Sequence, residues 1–293
     1  MSGDWIARRQ QGRVDRCSLG AEAGDNVSVD WPSDRAIASG LKADRSEGSG
    51  MHLAEATWPD AEAAETPLAL LPVGSTEQHG PHAPLSTDTI AAEAVAAAGA
   101  ERFDERVVVA PAIPVGVSEE HRHFGGTMWV SEDTFRAYVR EAATSLAHHG
   151  FDRIVLVNGH GGNVDALREV AARLSRDGDA YAVPFTWFDS VDAPDMGHAG
   201  PVETSLLRHV APELIKDDRI EEAVAGASDG WGEWVAGVNL AFDSAEFTDS
   251  GVVGDPSQAD EQRGEALLDA AAAALASLLD AVADREPSAE FDP

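Results

Sequence analysis

The chain has 293 residues, enough for one large α/β domain or two small ones with a sizeable core. Its 52 acidic and 21 basic side chains leave a net charge of −31. That excludes nucleic acid as a natural partner, because phosphate binding needs a basic footprint. A single cysteine, Cys17, excludes an intrachain disulfide and a cysteine metal site, and leaves the rest of the chain without a thiol nucleophile.

Lysine occurs only at Lys42 and Lys216. Self-repulsion on this scale is screened by salt, so the composition points to a halophilic protein of a salt-rich cytoplasm. An acidic protein of an ordinary cell is the plainer alternative. The N-terminus carries arginines without an apolar block behind them, so no signal peptide is read. The longest apolar run, near residues 270–279, reads as too short to span a bilayer. The expected setting is cytoplasmic, with no membrane partner.

Acidity is uneven. Residues 1–50 hold 8 acidic and 7 basic side chains and no sustained hydrophobic period. They read either as a disordered tail or as sequence upstream of a true start at Met51, the second being preferred. Residues 51–293 are expected to form the folded domain.

In chain order, residues 67–73 (PLALLPV) form a short apolar run that stops at Gly74, which suits a buried strand. Residues 89–99 are alanine-rich and helical in character. Residues 106–110 (RVVVA) predict a second strand, ended by Pro111. A helix follows over 131–149, with Ser131 and Asp133 as possible caps and Gly150 as its stop. Residues 152–157 (DRIVLV) predict a third strand, 164–175 a helix, 181–188 a fourth strand and 204–210 the start of a helix. A long helix closes the chain over 261–283. Strands alternating with helices imply a largely parallel sheet covered on both faces, with ligands beyond the strands' carboxyl ends.

Three polar motifs lie in such places. Gly74-Ser75-Thr76-Glu77-Gln78-His79-Gly80 follows the first strand, with Asp88 nine residues after His79. Carboxylate plus imidazole without thiolate suits Zn, Mn, Fe or Co better than Ca or Mg. A second ion would need a bridging carboxylate, and Asp88 is the candidate. A polar loop with satisfied histidines is the bland alternative. Asn158-Gly159-His160-Gly161-Gly162-Asn163 follows the third strand. Its glycines let backbone approach a ligand, and His160 is the candidate metal ligand. A phosphate cradle is the rival, although the lysine of a P-loop is absent. In Gly197-His198-Ala199-Gly200-Pro201-Val202-Glu203, His198 can act as general acid or base. Glu203 is a candidate ligand, or simply a first-turn acid favoured by the helix dipole. His121, His123 and Trp187 can line a pocket or merely pack, and Trp231 and Trp234 can serve an oligomer contact.

Together these motifs resemble the creatininase family of creatinine amidohydrolases. The resemblance rests on E-x-H-G with a following aspartate, N-G-H, and H-A-G-x-x-E-T-S at His198–Ser205. GVSEEHRHFGGT at residues 116–127 and GVVGDP at 251–256 add to it, and it covers roughly residues 66–280. It implies a creatininase-like three-layer α/β sandwich with a mostly parallel central sheet, often assembled as a hexamer. It also implies two divalent metal ions (Zn, Mn or Fe) and hydrolysis of a carbon–nitrogen amide bond in a small-molecule or peptide substrate. By the resemblance, Glu77 and His160 hold one ion and His79 the other, with Asp88 bridging and His198 moving a proton. Creatininase itself carries a tyrosine and a metal-binding glutamate after N-G-H, where this chain has Gly161 and Gly162. Glu203 is then expected to supply the carboxylate, as in a branch with an archaeal formamide hydrolase of flavin-precursor synthesis and a mycofactocin-maturing peptidase. Creatinine is not the expected substrate. The non-enzyme alternatives are a metal-binding or a phosphate-binding protein.

Overall fold

The computed structural model describes residues 50–285. The reading of residues 1–49 as a tail or upstream sequence lies outside the described residues. The sheet's first short strand, β1 (Gly50–His52), straddles the boundary drawn at Met51.

Four further strands complete the central sheet: β2 (Leu68–Val73), β3 (Val107–Val109), β4 (Arg153–Asn158) and β5 (Tyr181–Thr186), with the short helix α1 (Trp58–Glu62) between β1 and β2. Their spatial order is β1-β3-β2-β4-β5, and every pairing is parallel. Chain order reverses about β2, whose neighbours are β3 on one side and β4 on the other. A cleft therefore opens where the loops after β2 and β4 diverge, the place where open parallel sheets bind ligands.

Side-chain alternation sorts the strands onto two faces. Leu68 and Leu70 of β2 and Val155 and Val157 of β4 meet α2 (Thr87–Arg102), α5 (Pro201–Val210) and α7 (Glu261–Ala283). Leu71, Val73, Ile154 and Leu156 point the other way, onto α3 (Glu132–His148) and α4 (Val164–Asp177). Helix, sheet and helix make the expected three layers. All six residues of β2 are buried, which explains why the strand reads as an unbroken apolar run.

Helix ends follow local chemistry. Ser131 Oγ accepts from Thr134 N at the start of α3, so Ser131 is the cap and Asp133 is a first-turn acid. Gly150 follows α3 at φ +92°. Helix α5 begins at Pro201, three residues before the expected start, because proline suits the first turn, where its missing N–H has no partner to lose. The fourth strand ends at Thr186, and Trp187 enters a 3₁₀ turn and the core instead of a pocket.

The apolar run near residues 270–279 belongs to a 23-residue helix, long and apolar enough to cross a bilayer, with a mean hydropathy of 1.8 over its most apolar 18 residues. Leu267, Ala271, Leu275 and Leu279 are nevertheless buried against α2 and the sheet, so α7 is a core helix of this fold. Between α5 and α7 lie α6 (Ile220–Ala225) and a small hairpin, β6 (Trp234–Val235) and β7 (Val238–Asn239). Ala236 and Gly237 both have positive φ at its tip, as a tight two-residue hairpin requires.

Candidate metal centre

The three motifs converge at the carboxyl end of the sheet. Glu77 and His79 come from the loop after β2, Asp88 from the first turn of α2, and His160 from the loop after β4. His198 precedes α5, and Glu203 sits in that helix's first turn. All six side chains are buried. His160 Nδ1 lies 3.2 Å from both Glu77 Oε2 and Asp88 Oδ2. His79 Nε2 lies 3.1 Å from Asp88 Oδ1 and 3.9 Å from Glu203 Oε1. One oxygen of Asp88 thus faces each imidazole.

Backbone carbonyls orient the rings. His160 Nε2 donates to Val117 O at 2.6 Å, His79 Nδ1 to Glu77 O at 3.2 Å, and His198 Nε2 to Gln78 O at 2.7 Å. In each ring the opposite nitrogen is left facing the carboxylates, the tautomer and orientation that outer contacts impose on metal-binding histidines. Glu203 is steered in the same way, with Ala199 N–H donating to Oε2 at 2.6 Å.

The loops are locked from behind. Asn158 Oδ1 accepts from His160 N, and Asn158 Nδ2 donates to His160 O. Asn163 Nδ2 donates to Gly74 O, while its Oδ1 accepts from Val117 N. Two glycines of this motif serve packing instead of ligand approach. A Cβ at Gly159 would collide with the Asp88 carbonyl, and one at Gly162 with the Val117 carbonyl. At Gly161 a Cβ would meet nothing within 4 Å among the described residues, so that residue leaves open space in the site wall.

Charge tells the same story. Burial pushes Glu77 up to about 7 against the pull of His160. Asp88 is equally buried, but His79 and His160 hold it below the ordinary carboxylate range. Burial opposes charge on His79 and His160, yet Asp88 beside the first and Glu77 beside the second raise both well above the usual imidazole value. Burial, with the nearby charge of His79, pushes His198 down to about 4.

Glu77 Oε1 and Oε2, His79 Nε2 and Asp88 Oδ2 have no hydrogen-bond partner among the described residues. Leaving a buried polar atom unpaired costs about 1–3 kcal/mol, more for a charged one. Cations remove that cost. The donor atoms of Glu77, Asp88 and His160 lie within 4.8 Å of one another, as do those of His79, His198 and Glu203. Ligands bound at about 2.0–2.2 Å to one ion sit only slightly closer together. The residues therefore fit divalent ions held by nitrogen and oxygen.

A cavity of about 740 Å³ opens over this floor. Phe188, Met196, Trp231 and Val253 give it apolar walls, Glu120 and Asp229 add carboxylates, and no lysine or arginine among the described residues lines it. The sequence allows His121 to line a pocket or merely pack; it is buried, stacked on His198 at 4.4 Å, with Nε2 3.5 Å from Glu77 Oε1. Trp231 faces this cavity and packs edge-on to both rings. His123 is absent from the wall and pairs with Asp243 at 2.9 Å. Gln78 stands in the first motif with no role that its sequence context assigns. Its amide nitrogen lies 2.9 Å from Gly251 O, His121 and His198, which only the folded loops could reveal.

The parallel three-layer fold, with a carboxylate–imidazole cluster at its switch point, defines a metal-dependent hydrolase that acts on carbon–nitrogen bonds and takes two divalent ions. Residues 54–279 match the creatininase family, described as creatinine amidohydrolase, and the chain belongs to that family. Among relatives, the mycofactocin precursor peptide peptidase of Mycolicibacterium smegmatis is 41% identical over 207 residues, 69% of this chain and 80% of that protein. The creatinine amidohydrolase of Pseudomonas putida is 32% identical over 196 residues, 57% of this chain and 74% of that one. A manganese form of creatininase superposes with a TM-score of 0.68 at 25% identity, covering 80% of this chain and all of the other. A mutant creatininase of the Zn-Zn type gives 0.67 at 25%, covering 82% and all of the other.

Proposed function

We propose that the chain is a peptidase of the mycofactocin-precursor type, cleaving an amide bond of a peptide rather than opening creatinine. The observation that carries this is Asn158-Gly159-His160-Gly161-Gly162-Asn163 in its setting. No carboxylate follows His160, and the open Gly161 wall lies beside a cavity of about 740 Å³, roomy enough for a peptide segment. The higher identity and coverage with the mycobacterial peptidases support the same reading.

In this proposal Glu77, Asp88 and His160 would hold one ion, and His79 and Glu203 the other, with Asp88 Oδ1 facing His79. When bound, the ions supply Lewis-acid polarisation of an amide carbonyl and a lowered pKa for water. The chain's own groups do the rest. His198 is fixed with its hydrogen on Nε2, so Nδ1 presents a lone pair 3.7 Å from Glu77 Oε1. Its depressed pKa keeps it neutral near pH 7, ready to take a proton at Nδ1 and return it to the leaving nitrogen. Phe188, Met196 and Trp231 pack on the substrate and keep bulk water off the floor. The family resemblance further supports assembly of several copies, and the exposed apolar hairpin of β6 and β7 is the contact proposed for it.

The test is a substrate panel on metal-loaded protein in high salt, read by mass spectrometry. It compares a mycofactocin precursor peptide, simple formamides and creatinine. One cleaved amide bond in the peptide is expected, with creatinine and formamides turned over far more slowly. Preferential hydrolysis of a formamide or of creatinine overturns the peptide reading.

A further inference from the structure

We propose that the wall of the site carries a third position for a divalent ion, formed by Glu77 Oε1, His121 Nε2 and His198 Nδ1, whose filling at high zinc stops the reaction. It rests on the ligand and proton-carrier roles proposed above for Glu77 and His198. His121 is the group it adds.

The three donor atoms lie within 4.8 Å of one another, and all three residues are buried. His121 Nε2 is 3.5 Å and His198 Nδ1 3.7 Å from Glu77 Oε1, spacings close to those that zinc bonds of about 2.0–2.2 Å impose. Glu77 Oε1 has no hydrogen-bond partner among the described residues, and its companion Oε2 faces His160 instead. One carboxylate therefore serves two positions. The rings of His121 and His198 stack at 21° between planes, which turns a nitrogen of each toward the same oxygen.

Both far nitrogens have somewhere to place a hydrogen. His198 Nε2 donates to Gln78 O. His121 Nδ1 lies 3.0 Å from Ser244 Oγ, which itself donates to Glu120 O. With the hydrogen on Nδ1 and given to Ser244, His121 Nε2 offers a lone pair to an ion. With Nδ1 instead accepting from the Gln78 amide at 2.9 Å, Nε2–H points at Glu77. The third position thus competes with an internal hydrogen bond as well as with two nearby positive charges. It fills last, about tenfold or more weakly than the first two. Filling it turns His198 Nδ1 into a ligand and leaves the reaction without its proton carrier.

The experiment is a zinc titration of chelator-stripped full-length protein, with bound metal measured by mass spectrometry after equilibrium dialysis and turnover followed in parallel. Two tight equivalents and a weaker third are expected, with turnover falling as the third fills. His121→Gln should stop at two, and its turnover, normalised to its own value at two equivalents, should no longer fall. Ser244→Ala should weaken only the third equivalent, which keeps the test open if His121→Gln does not fold. A third equivalent that persists unchanged in both variants overturns the proposal, since it then sits elsewhere on the acidic surface. So does wild type that saturates at two without inhibition. Fewer than two equivalents in wild type overturns the two-ion reading and this proposal with it.

Discussion

Two regions break the ordinary rule of burial in opposite directions. The metal centre hides Glu77, His79, Asp88 and Glu203 from water and leaves several of their polar atoms unpaired. The hairpin of β6 and β7 and the residues after it do the reverse. Trp234, Val235, Val238, Leu240 and Phe242 are exposed, Phe242 to 85%. A buried polar cluster and an exposed apolar patch are the informative departures from a normal interior and surface. The difference lies in what completes each. The first demands charge, which bound ions supply, and the second offers apolar surface, which the assembly proposed above would cover.

Replacing one atom type at the centre should produce the largest effect. Asp88→Asn removes the carboxylate that faces both His79 and His160, so both ions and all turnover are expected to be lost. Elemental analysis beside an activity assay checks it, and a variant retaining two ions with turnover removes Asp88 from its bridging place. A smaller loss is expected for His198→Ala, a fall in kcat of about 10²–10⁴-fold with metal content near that of wild type. Loss of metal in step with kcat would make His198 a structural ligand instead. The hairpin should respond least. The double substitution Trp234→Ser with Phe242→Ser should shift stability by no more than about 0.5 kcal/mol, as exposed substitutions do. It should also lower the sedimentation coefficient if the patch joins copies of the chain. Unchanged sedimentation of an assembled protein places the contact elsewhere.

This contrast also governs what the sequence could disclose. Each ligand-bearing motif follows an apolar strand and is written in a few consecutive residues, so residues 74–79 and 158–163 announce themselves. Strands β2 and β4 are equally plain, being buried on both faces. Three-residue β1 is silent, since Gly50-Met51-His52 has no period and is held by pairing with β3. Gln78, His121 and Trp231 acquire their places only when loops more than forty residues apart meet. Pro201 did carry a usable sign, because proline followed by a glutamate two residues on marks a first helical turn.

Gly159 lies against the Asp88 carbonyl with no room for even a methyl group, so the loop after β4 is seated directly beneath the first turn of α2. The gap between the two strand-end loops is therefore a fixed mechanical dimension. Any change in the spacing of those two backbones has to move α2, a sixteen-residue helix packed against α7 and the sheet. A side chain placed at position 159 would therefore act at a distance, displacing the backbone that carries Asp88 although it touches no donor atom.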